Sequence, residues 1–416
     1  MELQSILDEK MVPRTLKSTV LNTAATFPVI LVTGPRQVGK TTLLRMCADP
    51  NINYVTLDDM ALRQIAKEDP ALFIQTHKTP LIIDEVQYAP ELFPYIKLAV
   101  DNSKLKGQYW LTGSQQFHLM KNITESLAGR VGILKLLGLS LAEAEGKGEK
   151  ADPFIPNADL LNKKKNTNRL DTLSLFEKIW RGSLPEVVLN PKMDPDIFFS
   201  SYVQTYIQRD VRDLTQVADE ATFLKFMRSI AARTGQLLNM ADLARDVDID
   251  PKTAKSWLSI LQTSGLVLLL EPYYTNLSKR MIKSPKLYFL DTGLCCHLTR
   301  WTSAETLLNG AMSGAVFETF IITETVKSYI HNGKTADFYF YRDKDQKEID
   351  LLIEQNGKLY PVEIKKTAIP NKSHIKHFSV LKSLKLKTGI GALICLTETP
   401  LALTSDVYAF PVSVLV

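Results

Sequence analysis

The stretch on which the fold turns is Gly34-Pro35-Arg36-Gln37-Val38-Gly39-Lys40-Thr41. It has the pattern G-x-x-x-x-G-K-[ST], a loop that wraps phosphate when it lies between a strand and a helix. The apolar run ahead of it, Pro28 to Val32, reads as a buried strand. Thr42, Leu43, Leu44 and Arg45 behind it continue as a helix. At such a junction the backbone N–H groups and the helix dipole face an anion. Gly34 and Gly39 permit backbone conformations and close approaches that a side chain would block. Residues 34–42 are therefore the expected nucleotide-binding set, with Lys40 reaching the β- and γ-phosphates and the Thr41 hydroxyl ligating Mg2+.

A second element follows at Leu81-Ile82-Ile83-Asp84-Glu85, three apolar residues running into two acids. This reads as a parallel core strand with carboxylates at its C-terminal end, where ligands bind in open α/β sheets. Asp84 would hold Mg2+ and Glu85 would polarise the attacking water. A third strand, Gln108 to Gly113, runs into Ser114, placed to sense the γ-phosphate or orient water. Arg130 precedes a further strand, Val131 to Leu137. It would serve either as an arginine finger on a neighbouring subunit's ATP or as half of a structural salt bridge.

The pieces GPRQVGKTTLL, LIIDEVQ, LTGSQ, SLAGR, LYFLDTGL, GAVFE and EIDLLI…PVEIKK together resemble prokaryotic AAA+ ATPases with a C-terminal domain of the DUF4143 type. The resemblance covers nearly the whole chain and implies an ATPase. One departure is visible. The family's Gly-Gly-x-Pro-Glu turn here reads Gly182-Ser183-Leu184-Pro185-Glu186, and serine there is expected to shift the turn's dihedrals.

Length and composition agree with several folded units. A chain of 416 residues with 45% hydrophobic content holds two or three domains. A net charge of +5 permits nucleic-acid binding without requiring it. The four cysteines form no C-x-x-C pair and fit a reducing compartment. Residues 1–10 do not read as a signal peptide, and no apolar run reaches the ~18 residues of a membrane span. A cytoplasmic protein is expected.

Beyond the first module, Gly146 to Arg169 is polar and carries the run Lys163-Lys164-Lys165, so it reads as a linker. Phe176, Ile179, Trp180, Tyr202, Tyr206 and Ile207 have helical core spacing and suggest a lid, with Arg209, Arg212 and Arg228 on its surface. Met240–Val247 reads as a short helix. Asp250 would cap the next, with Pro251 at its first position. Lys252, Thr253, Lys255 and Ser256 would line that helix's exposed start, with Trp257, Leu258 and Leu261 inward. Strands at 266–270 and 286–290, joined through Lys279, Arg280 and Lys283, complete a winged-helix pattern. Winged helices serve either DNA binding or protein contacts.

The C-terminal part contains a second set of acids. Glu318 lies in an apolar helix pattern, and Asn356-Gly357 joins two strands as a hairpin. Side chains alternate along a strand, so Glu363 and Lys365 share a face, with Asp350 on the neighbouring strand. Asp350 and Glu363 would share one Mg2+, Lys365 would orient a water or stabilise a charged phosphorane-like state, and Glu318 would hold the metal through water or fix Lys365. This E…D…E-x-K arrangement resembles the PD-(D/E)xK nucleases. The expected fold class is α/β: an AAA+ P-loop core (1–145), a polar linker (146–170), a helical lid (171–235), a winged helix (236–300) and a PD-(D/E)xK nuclease-like domain (301–416). The expected activity is a Mg2+-dependent ATPase that binds duplex or branched DNA, cleaves or remodels it, and works as a homo-oligomer. The alternative is an ATP-dependent switch or protein-binding module whose nuclease-like domain is silent.

Overall fold

The structure, a computed structural model, describes residues 12–114, 123, 126–163, 171–206, 220–274, 284–335 and 337–416. The lysines 164 and 165, the lid residues Ile207, Arg209 and Arg212, and the loop cations Lys279, Arg280 and Lys283 lie outside the described residues.

The first module is a five-stranded parallel sheet. Its strands are β1 (Val29–Thr33), β2 (Asn53–Thr56), β3 (Leu81–Asp84), β4 (Tyr109–Gly113) and β5 (Val131–Lys135), in the order β2-β3-β4-β1-β5. Helices cover both faces, so the central strands β1, β3 and β4 are buried at every residue and read as unbroken apolar runs. Edge strand β5 alternates instead, and leaves Ile133 42% exposed. The helix Leu16–Thr26 packs on β1, and the helix Lys40–Cys47, which follows the phosphate loop, packs on β4 and on that helix. The sheet is that of a P-loop nucleotide hydrolase.

The middle of the chain is helical, and its core runs into the first module without a gap. Val38, Leu43 and Leu44 beside the phosphate loop share one apolar cluster with Tyr206, Phe226, Trp257, Leu258 and Leu261. Asp250 caps the helix Pro251–Thr263 by accepting from the N–H groups of Lys252 and Thr253. Trp257 turns inward and meets Phe223 and Phe226 edge-on at 5.0 and 5.4 Å. Gly265, at φ 72°, then brings the chain beside Pro35.

The second sheet has nine strands. They are β6 (Gln236–Leu237), β7 (Val267–Pro272), β8 (Lys286–Phe289), β9 (Asp337–Arg342), β10 (Glu348–Gln355), β11 (Lys358–Lys365), β12 (Gly391–Cys395), β13 (Leu401–Ala402) and β14 (Val407–Pro411). Their order is β13-β14-β12-β11-β10-β9-β7-β8-β6. The sequence pattern suggested that β7 and β8 form a wing of their own. Instead β7 pairs antiparallel with β8 on one side and parallel with β9 on the other, so the pair is fused to the C-terminal sheet. The β10–β11 hairpin turns at Asn356 and Gly357, both with positive φ (53° and 68°), as a tight primed turn requires.

Candidate nucleotide site and carboxylate cluster

The phosphate loop leaves β1 at Gly34, whose φ of 152° and position against Leu136 exclude a side chain: a Cβ there would lie 2.0 Å from the Leu136 carbonyl oxygen. Gly39, with φ 87°, turns the chain into the helix Lys40–Cys47. Lys40 is buried, and its ammonium donates to the carbonyls of Gly34 (3.2 Å) and Pro35 (2.8 Å). These two carbonyls fold the ammonium back across the loop's mouth. Pro35 and Val38 are buried, Arg36 and Gly39 half-buried, and Gln37 and Thr42 exposed.

Below the loop, Asp84 is 8% exposed at the end of β3. Thr41 donates to its Oδ1 at 2.7 Å, Thr112 donates to the same oxygen, and Tyr54 donates to Oδ2 at 3.1 Å. All three partners are neutral hydroxyls. The carboxylate is oriented but not neutralised.

Glu85 occupies the left-handed region (φ 55°, ψ 45°), an unfavourable conformation for a non-glycine residue, of the kind that clusters at functional sites. Its backbone N–H donates to Thr112 Oγ1 at 3.1 Å. Its Oε2 accepts from Ser114 at 3.2 Å and from Gln87. Ser114, 5% exposed, is therefore set against Glu85. Gln87 is a member of this group that sequence reading passed over, although it stands in the same short segment.

Arg130 lies at the opposite end of the sheet, at the N-terminal edge of β5. Its guanidinium grips Asp101 through Nε–Oδ1 at 2.5 Å and Nη2–Oδ2 at 3.0 Å. It does not face this chain's own phosphate loop. Of the two roles expected for it, the chain by itself displays the salt bridge.

The C-terminal acids also converge. Lys365 Nζ lies 2.7 Å from Glu363 Oε1 and 3.3 Å from Asp350 Oδ2. A bulge in β10 between Ile349 and Leu352 places an extra residue opposite β9 and re-aims this part of the strand, Asp350 included. The residue that sequence reading missed is Lys286 on β8, 3% exposed. Its ammonium lies 2.6 Å from Glu348 Oε1, 3.2 Å from Glu318 Oε1 and 4.0 Å from Asp350 Oδ1. Tyr288 also donates to Glu318, at 2.7 Å. Glu318 was expected to hold a metal through water or to fix Lys365; it is bound by Lys286 and Tyr288 instead. Arg342 closes the cluster at 3.1 Å from Glu348 Oε2.

Burial works against the charge on Lys286, but Glu318, Asp350 and Glu348 together outweigh it and hold the ammonium above its usual range. Burial, then the charge of Asp350, pushes the Glu318 carboxyl up to about 7. The same two causes push Glu363 up to about 8. Among the described residues no group of three or more His, Cys, Asp or Glu side chains is arranged to hold a metal. The oxygens that would face an ion between Asp350 and its neighbours are taken by lysine ammoniums. One atom runs the other way: Glu363 Oε2 is buried with no hydrogen-bond partner.

The Gly182-Ser183 turn can now be placed. The positive φ (78°) falls on Gly182, where a Cβ would lie 2.6 Å from Asp291 Oδ1. Ser183 uses both its N–H and its hydroxyl to reach Asp291 Oδ2, each at 2.7 Å, while its carbonyl accepts from Leu139 at 2.7 Å. The serine fits this joint without taking the left-handed position.

Family models match three stretches of the chain. An AAA domain family matches residues 26–145, and a domain of unknown function (DUF4143) matches residues 313–415. A second domain of unknown function (DUF8612) matches residues 172–305, spanning the helical segment and the strands β6 to β8. The uncharacterized protein Rv2008c of Mycobacterium tuberculosis is 30% identical over 348 residues, which is 83% of this chain and 71% of that protein. The chain belongs to its family, the AAA-type ATPases with a C-terminal DUF4143 domain. The uncharacterized protein Mb2031c of Mycobacterium bovis matches to the same extent. Among solved structures, the Walker-type ATPase PABY2304 of Pyrococcus abyssi aligns at 14% identity over 70% of this chain and 96% of that one, with a TM-score of 0.46. The RuvB Holliday junction branch migration motor of Thermotoga maritima aligns at 16% identity over 62% and 89%, with a TM-score of 0.30. Among the described residues no helix is long and apolar enough to cross a membrane.

Proposed function

We propose that this AAA-type ATPase hydrolyses ATP with Mg2+, binds duplex or branched DNA through the exposed start of the helix Pro251–Thr263, and carries a nuclease-like domain that does not cleave. The pairing of Thr41 Oγ1 with Asp84 Oδ1 at 2.7 Å carries the reading. Two oxygen donors meet beneath the phosphate loop, one of them a carboxylate with only neutral partners. That donor set suits a small hard cation. Thr41 and Asp84 would hold Mg2+, which when bound offsets charge on the phosphates.

The chain's own residues supply the rest. Lys40 exchanges the Gly34 and Pro35 carbonyls for phosphate oxygens. Gly39 and Lys40 present backbone N–H groups at the helix N-terminus. Both side-chain bonds of Glu85 fall on Oε2, which leaves Oε1 to accept from the attacking water, with Ser114 and Gln87 steadying the carboxylate. Arg130 would have to release Asp101 to act on the ATP of a second copy, and such a role needs a homo-oligomer.

DNA binding is supported by the helix Pro251–Thr263, which exposes Lys252, Lys255 and Ser256. The absence of cleavage rests on Lys286, an ammonium already seated among the acids that would bind an ion. The unpartnered Glu363 Oε2 favours a second reading, in which the cluster takes Mg2+ and cuts. One set of measurements separates these: phosphate release with Mg2+ and ATP, with and without duplex and four-way DNA, beside a cleavage gel. Lack of Mg2+-dependent ATP turnover refutes the ATPase part. Unchanged turnover with DNA, and binding without salt dependence, refutes the DNA part. A cut strand refutes silence.

A further inference from the structure

We propose that Arg14 is a positioning residue for the phosphate loop, and that the DUF4143 domain sets it through His331. The inference rests on ATP binding at the loop. Arg14, 5% exposed, donates from Nη1 to the Val38 carbonyl and from Nη2 to the Leu137 carbonyl, each at 2.9 Å. The Val38 carbonyl belongs to the peptide that precedes Gly39. Because that unit is planar and trans, its C=O and the Gly39 N–H point in opposite directions. Drawing the carbonyl out toward Arg14 aims the N–H at the anion.

The other anchor of Arg14 is the segment that closes over the loop's far end. Leu137 follows Leu136, whose carbonyl lies against Gly34. One guanidinium and one carbonyl contact thus tie both ends of the loop to residues 136–137. That segment is held in turn by the last domain. The Leu137 N–H donates to Nε2 of His331, just past the helix Ser313–Ile330, at 3.2 Å. Nε2 accepts, so Nδ1 carries the proton, and it lies 3.2 Å from Glu143 Oε2. Glu143 is fully buried and returns to Arg14, with Oε1 3.2 Å from Nε. It also accepts from the N–H groups of Thr15 (2.8 Å) and Ser140 (2.9 Å). Arg14, Glu143, His331 and Leu137 thus link two domains, through hydrogen bonds at Leu137 and through 3.2 Å approaches of Arg14 Nε and His331 Nδ1 to Glu143 that lack hydrogen-bond geometry. A shift of His331 moves Leu137 and Glu143, and both act on Arg14.

The test measures the dissociation constant for ATP of the full chain by titration, well below the unfolding temperature. Arg14→Lys keeps the charge beside Glu143 but cannot reach two carbonyls in fork geometry. Its constant should rise about tenfold, as the loss of one charge-assisted bond predicts. His331→Gln should raise it less, and the double variant should bind no more weakly than Arg14→Lys alone, because both act through one linkage. A merely structural Arg14 would lower the melting temperature and leave ATP affinity alone. Wild-type affinity in folded Arg14→Lys, or additive losses in the double variant, overturns the proposal. If Arg14→Lys does not fold, unchanged affinity in His331→Gln overturns it alone. Wild-type protein that binds no ATP refutes the nucleotide reading instead.

Discussion

Asp84 and Asp350 are both buried aspartates on sheet strands, and they have opposite company. Asp84 receives three hydroxyls, from Thr41, Thr112 and Tyr54. Asp350 receives a backbone N–H from Ile364 at 2.9 Å and sits between the ammoniums of Lys365 and Lys286. Hydroxyls fix a carboxylate's direction and leave its charge for a cation to come. Ammoniums cancel that charge within the chain. The difference teaches that an acidic motif does not by itself define an ion site; the partners decide whether the acid is poised or satisfied.

The sharpest break of this comparison is made at the poised site. Lys40→Ala should lower ATP turnover on the order of a hundredfold or more, as removal of a preorganised charge-stabilising group does. Glu85→Gln should lower it by roughly 10²–10⁴ while leaving ATP binding intact. Phosphate release and ATP titration read both. Retained turnover in either variant would remove the functional contrast.

At the satisfied site the expectation is stability, not turnover. Lys286→Met strands Glu318, Glu348 and Asp350 without their shared cation and should cost roughly 3–5 kcal/mol in urea unfolding, with little change in ATP turnover. Mg2+ should then stabilise this variant and not the wild-type cluster. If Mg2+ stabilises the cluster in both equally, the lysine is no plug.

Parts of this contrast can be read along the chain and parts cannot. The phosphate loop, the Asp84-Glu85 strand end, the Asp250–Pro251 helix start and the Asn356-Gly357 hairpin each depend on neighbours a few residues away. Local geometry writes them directly into the sequence. Lys286 contacts residues 32 and 62 to 64 positions further on, and it sits in a short apolar run that reads simply as a strand. Arg14 reaches Leu137 across 123 positions and belongs to no motif. Long-range ion pairs have no sequence period, so neither lysine plug nor arginine strap leaves a trace before the chain folds.

A smaller effect tests the surface reading. Lys252→Ala and Lys255→Ala should each weaken DNA binding without changing sequence preference, and lower the salt slope by about one if each meets a phosphate. A pH test belongs to Glu363. Folding raises its carboxyl to about 8, so the folded state retains a proton that the unfolded chain releases. The stabilisation this brings is complete below the ordinary carboxylate range and fades as pH climbs toward 8. Melting curves between about pH 5 and 8 should show the wild type losing ground to Glu363→Gln, which cannot ionise.

Strand β7 has one further consequence, for anyone dissecting the protein into pieces. Because it is laced to β8 on one flank and β9 on the other, a cut between the DUF8612 and DUF4143 segments does not release two finished bodies. The amino-terminal piece would bare a raw strand margin along Glu271 and Pro272, and the carboxyl-terminal piece would bare Tyr339 and Phe340. Open margins of this kind recruit other chains. Both fragments should clump where the intact protein stays dispersed.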